Sequence, residues 1–274
     1  LDNLEQHDAL RLFLARAREA RPGMAIDGRA VDHIVSICRE LDGIPLALEL
    51  AAARLRTLPL DSVARSVNEI TRWKGSCRRA PLSRHATLRA SIEWSFDLIS
   101  PTEQQMLVVC AVFRSPFDTD AARAVAVAID AGAEAVDAIQ RLTDVGLLHL
   151  DDESGQYRML HTVRQFCLEF DGAERPPRQL VDEAHARFVA SWCAEVGAGD
   201  HGIEHRPFIR RMPDVVAAMA WARVNDHHAA FRMCSGLAPV RSALGHIADF
   251  DATWRWLLAF DQADRDPVWA EAVA

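Results

Sequence analysis

Apolar residues recur at three- and four-residue spacing through most of the chain, which is the period of an amphipathic helix. Over 4–20, Ala9, Leu10, Leu12, Phe13, Ala15 and Ala17 form a broad apolar face, and Arg21-Pro22-Gly23 stops it. The same period predicts a second helix over about 28–41, burying Val31, Ile34, Val35, Cys38 and Leu41. A third starts at Pro45 and runs to about Leu58; a fourth opens at Leu60 or Asp61 and carries Val63, Val67 and Ile70 inward. Residues 75–84 form a basic connector containing Pro81. Beyond it, Ser100-Pro101-Thr102-Glu103 reads as N-cap, N1, N2 and N3, a capping box that opens a helix to about Val112. Two more helices are predicted over 119–128 and 133–145. The period then shortens to two: 147–151 and 156–160 flank Glu153-Ser154-Gly155 as the strands of a β-hairpin. A helix follows over 161–170.

Asp171 to Pro177 is rich in charge, Gly and Pro and reads as a linker. Helices are predicted after it over 179–196, 214–224, 229–237 and 244–260. The reading is a mainly α protein in three parts: a helical bundle over 1–75, a winged-helix domain with a small β-hairpin over 76–174, and a helical repeat-like domain over 175–274. The paired-helix rhythm of the last part shows no clean 34-residue period. Half of the 274 residues are hydrophobic and 26% are charged, enough for sizeable cores. The six cysteines are scattered with no C-x-x-C pair, as expected of reduced core thiols in a cytoplasmic protein. No signal peptide or membrane span is expected, and the opening at Leu1 suggests a segment of a longer protein.

The sharpest local pattern is Leu41-Asp42-Gly43-Ile44-Pro45-Leu46-Ala47-Leu48-Glu49-Leu50-Ala51-Ala52-Ala53-Arg54-Leu55. Gly43 is expected at the C′ position, where φ is positive, and Pro45 at N1 of the next helix. Such a corner is a common structural device in its own right. A second pattern is Arg84-His85-Ala86-Thr87-Leu88-Arg89, continuing through Ile92, Trp94, Ser95, Leu98, Ser100 and Pro101. Together these resemble the GxP corner and the following segment of the NB-ARC (apoptotic-ATPase, STAND) signal-transduction ATPases, closest to the large transcriptional regulators of the actinobacterial branch.

The resemblance implies a nucleotide role for particular residues. In that family the corner proline packs on the adenine, so Gly43, Ile44 and Pro45 would line the base. A Met-His-Asp motif follows the winged-helix hairpin, and its histidine meets the β-phosphate of ADP. Met159-Leu160-His161-Thr162 stands there, with His161 in the histidine's place and Thr162 in place of the aspartate. A helix-start histidine packed on the hairpin is the plainer reading. Arg84 and His85 could contact phosphate or a neighbouring domain, although a solvated linker explains them as well. The helices beyond 178 resemble the start of a tetratricopeptide-like array.

One fact limits this. The only lysine, Lys74, lies in Trp73-Lys74-Gly75 and cannot serve a G-x-x-x-x-G-K-[S/T] loop. The chain is therefore expected not to be an enzyme by itself. ADP or ATP with Mg would bind only with an upstream P-loop domain as partner, and effector or partner proteins would meet the helical repeats. No catalytic residue or metal site is expected. His201 and His205 have metal-pair spacing, but Gly197, Gly199, Gly202 and Pro207 mark a loop without a third ligand. Trp254, Trp256 and Phe260 have core-like helical spacing.

Two other classes remain open. A winged helix can read DNA, but 86–175 carries 7 Arg, no Lys and 15 acidic residues, and Asp151-Asp152-Glu153 forms the wing tip. Affinity for DNA rests on phosphate neutralisation, so no direct DNA binding is expected. Alternatively, the chain is a nucleotide-independent interaction scaffold.

Overall fold

The computed structural model describes residues 2–75, 84–170, 176–197 and 206–238, with side chains over 8–68, 87–170, 176–197 and 209–238. The connector 76–83, His201, His205 and the expected helix over 244–260 with Trp254, Trp256 and Phe260 lie outside the described residues. So do the side chains of Arg84 and His85. The described chain is mainly α-helical, with one small antiparallel hairpin.

It divides into two compact units. The first comprises Leu1–Leu107, Ala138–His149 and Met159–Asp171; the second comprises Val108–Asp137, Leu150–Arg158 and Gly172–Ala274.

The first unit begins with helices α1 (Asp2–Ala20), α2 (Gly28–Glu40), α3 (Pro45–Ala53) and α4 (Leu60–Gly75), and a 3-10 turn, Arg54–Arg56, follows α3. Their core gathers Phe13, Ile34, Ile37, Leu48, Leu55 and Val63, all essentially inaccessible to water. Burying an aromatic or branched side chain of this kind stabilises by roughly 1.5–3 kcal/mol. Asp27 caps α2 by accepting the Ala30 N–H at 2.8 Å. Val31 is a correction to the periodicity reading: it is 46% exposed, because the inner face of α2 is centred on Ala30, Ile34, Ile37, Cys38 and Leu41. Helix α3 is also shorter than expected, since its last turn tightens into the 3-10 turn.

Helices α5 (Arg84–Asp97), α6 (Pro101–Cys110), α7 (Thr119–Val127) and α8 (Ala135–Asp144) follow. Strands β1 (His149–Asp151) and β2 (Gln156–Arg158) turn at Gly155, whose φ is +64°. Helix α9 (His161–Glu169) comes next. The capping box at α6 forms as the wording predicted: Glu103 accepts the Ser100 N–H at 2.8 Å, and Ser100 Oγ accepts the Glu103 N–H at 3.3 Å.

In the second unit Phe117 and Tyr157 exchange both backbone hydrogen bonds, at 2.9 and 2.7 Å, adding an isolated antiparallel bridge beside β2. Helices α10 (Arg178–Gly197), α11 (Arg206–Asn225) and α12 (His227–Leu237) share a core of Val189, Cys193, Val215, Phe231, Met233 and Leu237. Helix α11 starts eight residues before the expected Asp214 and continues through Pro213. Proline weakens a helix interior by removing one hydrogen bond, and here the helix runs on regardless. Of the described helices, none is long and apolar enough to cross a membrane.

Candidate functional site

The α2–α3 corner is built by two consecutive left-handed residues. Leu41 caps α2, the Asp42 N–H donates to Arg39 O at 3.1 Å, and the Gly43 N–H donates to Cys38 O at 3.0 Å. This is the Schellman pattern with Asp42 at C′. The expectation that Gly43 holds C′ is therefore corrected by one position: φ is +51° at Asp42 and +64° at Gly43. Aspartate tolerates that region better than most residues because its short polar side chain bonds locally. Ile44 is the N-cap of α3, with no side-chain cap, and Pro45 is N1 and exposed.

The Asp42 side chain does not face inert solvent. Thr87, itself buried, donates its hydroxyl to Asp42 Oδ2 at 3.0 Å. This bond joins the two separate sequence patterns, and it brings the first turn of α5, opened by Arg84 and His85, to the corner. Thr87→Val keeps the side-chain shape and removes the donor. It is expected to cost about 1 kcal/mol, read as a lower urea midpoint with an unchanged slope.

His161 occupies N1 of α9 and is exposed, with Leu160 as an N-cap that makes no side-chain bond. The body of α9 is locked to α5. The Phe96 ring centroid lies 5.4 Å from Phe166 and 4.5 Å from Phe170. Arg89 pairs with Glu169 and lies over the Phe166 ring. Hydrogen bonds from Gln165 and Arg89 hold the Glu169 carboxyl below its usual range. Glu169 ends α9 and Arg89 lies half a turn from Thr87. His161 therefore stands at the opposite end of α9, about 12 Å along its axis at 1.5 Å per residue. Among the described residues, no hydrogen bond joins His161 to the corner.

A charged set that the periodicity did not reveal lies beside the corner's helix. Arg54 is 4% exposed and donates Nη2 to Ser95 O at 2.6 Å, with its guanidinium 5.9 Å from the centre of the Trp94 ring. Burial pushes its pKa down to about 10, against the opposing pull of Glu103. Glu103 is buried too, and it accepts from Arg141 Nη1 at 3.1 Å. Its double place, as N3 of a capping box and partner of a distant arginine, has no signature in spacing. The described cysteines Cys38, Cys110, Cys167, Cys193 and Cys234 are buried thiols, and desolvation raises Cys38 to about 11 and Cys234 to about 12. Among the described residues no group of three or more His, Cys, Asp or Glu is placed to hold a metal.

No family model matches the chain. It is 34% identical, over 250 residues, to proteins of Mycobacterium tuberculosis and Mycobacterium bovis that both bear the name "Putative HTH-type transcriptional regulator". That match covers 88% of this chain and 28% of each relative. It is also 37% identical, over 168 residues, to an "Uncharacterized protein" of Mycobacterium tuberculosis, covering 60% of this chain and 42% of that protein. The chain thus spans little more than a quarter of the length of the named regulators it resembles.

Proposed function

We propose that the chain is the regulatory portion of an ATP/ADP-dependent switch of NB-ARC type within a larger, cytoplasmic bacterial transcriptional regulator. The observation that carries this reading is the Thr87–Asp42 hydrogen bond, which unites the two family-like patterns at one corner and leaves Pro45 exposed there. Length supports it as well: the named regulators extend far beyond the matched region, with room for a P-loop domain and a DNA-binding domain.

In this reading Gly43, Ile44 and Pro45 form an apolar edge for the base. The paired left-handed residues set the direction in which Pro45 enters α3. His161 and the first turn of α9 face the phosphates. That turn makes no side-chain cap, so its N–H groups and helix dipole suit an anion. The chain itself hydrolyses nothing; phosphate binding belongs to the P-loop partner, with Mg. Loss of the His161 contact on exchange shifts the population towards an open packing. The segment 76–174 acts as a winged helix that packs within the protein, and 175–274 as a repeat-like surface for an effector or partner.

The test is nucleotide retention in the full-length parent. ADP is expected to copurify with it, and Pro45→Ala and His161→Ala should each lower retention about tenfold, the loss of one modest contact. Undiminished retention in both variants would overturn the assignment.

The relatives' name favours a second reading, in which this region itself reads DNA. The acidic balance of 86–175 opposes it. A mobility shift with random duplex at about 0.15 M salt, near physiological ionic strength, is expected to show no retardation. A salt-sensitive shift would reinstate the DNA reader.

A further inference from the structure

The contact between the C-terminal end of α3 and the end of α5 is unusual for a packed seam. Arg54 and Ser95 face each other across it. The bond from Arg54 Nη2 runs to the Ser95 carbonyl, while Arg54 Nε and Ser95 Oγ are both buried with no hydrogen-bond partner in the protein. Ser95 is fully buried and Arg54 almost so. Glu103, the carboxylate that opposes the desolvation of Arg54, is already committed to the Ser100 N–H and to Arg141. The seam also carries the Thr87–Asp42 hydrogen bond and the contact of Arg54 with the Trp94 ring. Beside the seam, Arg56 and Asp144 of α8 form an exposed ion pair, which contributes little.

A buried charge with an orphan donor, bonded to a residue whose own hydroxyl is orphaned, costs free energy while the seam is shut, and water repays that cost once it parts. Apolar side chains of similar size would hold the same helices together more firmly. We propose that the Arg54–Ser95 contact is a built-in release point, at which the C-terminal end of α3 separates from the end of α5 while each side stays folded. This inference concerns the chain alone and stands whether or not a nucleotide binds at the corner.

Hydrogen–deuterium exchange on the whole 274-residue chain tests it, read by mass spectrometry on peptides spanning 46–58 and 92–104. In the wild type these peptides are expected to exchange faster than the core of α2. The Arg54→Met/Ser95→Ala variant, which replaces both orphan groups with apolar ones, should slow their exchange about tenfold and leave α10 and α12 unchanged. Unchanged or faster exchange in those peptides would overturn the proposal, because Arg54 would then be a clamp instead of a release point. If the double variant fails to fold, Ser95→Ala alone decides. It removes one orphan and keeps the Arg54 hydrogen bond to the main chain. It should slow exchange about threefold, and exchange equal to or faster than wild type would sink the idea.

Discussion

Gly236→Ala is expected to destabilise the second unit by roughly 3 kcal/mol, although alanine is the better helix former. Gly236 lies in α12, where that helix crosses α10. A methyl group there would sit 2.2 Å from the Cys193 carbonyl oxygen, 2.3 Å from its carbon and 2.7 Å from the Ala194 nitrogen. All three are main-chain atoms, so no side-chain rotation relieves the clash. Gly197 stands in the same crossing, where an added Cβ would lie 2.2 Å from the Gly236 oxygen. The helices must move apart, and the contacts of Ala186, Ala190, Cys193 and Ala230 loosen with them. Propensity alone predicts the opposite sign, a gain of about 1 kcal/mol. Urea unfolding therefore decides cleanly: a raised midpoint for Gly236→Ala would mean that α10 and α12 do not cross this closely.

Glu103→Ala is expected to cost about 3 kcal/mol. The change removes three things at once. The Ser100 N–H loses its acceptor, Arg141 loses its partner, and the charge of buried Arg54 loses the carboxylate that offsets its desolvation. Glu103→Gln separates these effects, because its amide oxygen still reaches the Ser100 N–H but carries no charge. It should recover about 1 kcal/mol, the worth of the cap alone. Equal losses in the two variants would show that charge decides everything there. A loss in Glu103→Ala no larger than a missing cap would show that Arg54 is indifferent to Glu103. Since Arg54 also forms the proposed release point, Glu103→Ala should speed exchange in peptide 92–104.

Much of the secondary structure was legible. The i, i+4, i+7 face of α2, the Ser100–Glu103 capping box and the hairpin around Gly155 each rest on rules that involve only neighbouring residues. Misses came where a distant partner overrides the local rule. Val31 obeys the helical period yet faces water, because Ile37 lies nearer the centre of the inner face. Asp42, not Gly43, takes the C′ position, and its carboxylate bonds Thr87 from 45 residues away. The expected helix opens at Asp214, but α11 begins at Arg206 and runs through Pro213.

The candidate site divides in the same way. The wording around Pro45 and His161 pointed to those residues, and the structure makes each an exposed N1 residue of its own helix. Only the tertiary structure decided that Thr87 is tied to the corner, that Glu103 answers Arg141 and opposes the desolvation of Arg54, and that Arg54 Nε and Ser95 Oγ are both buried without a hydrogen-bond partner. Periodicity, caps and turns follow from the geometry of a few consecutive peptide units, so they can be read along a line. Burial of a charge and the pairing of polar atoms depend on which remote surfaces meet, and the chain settles that only by folding.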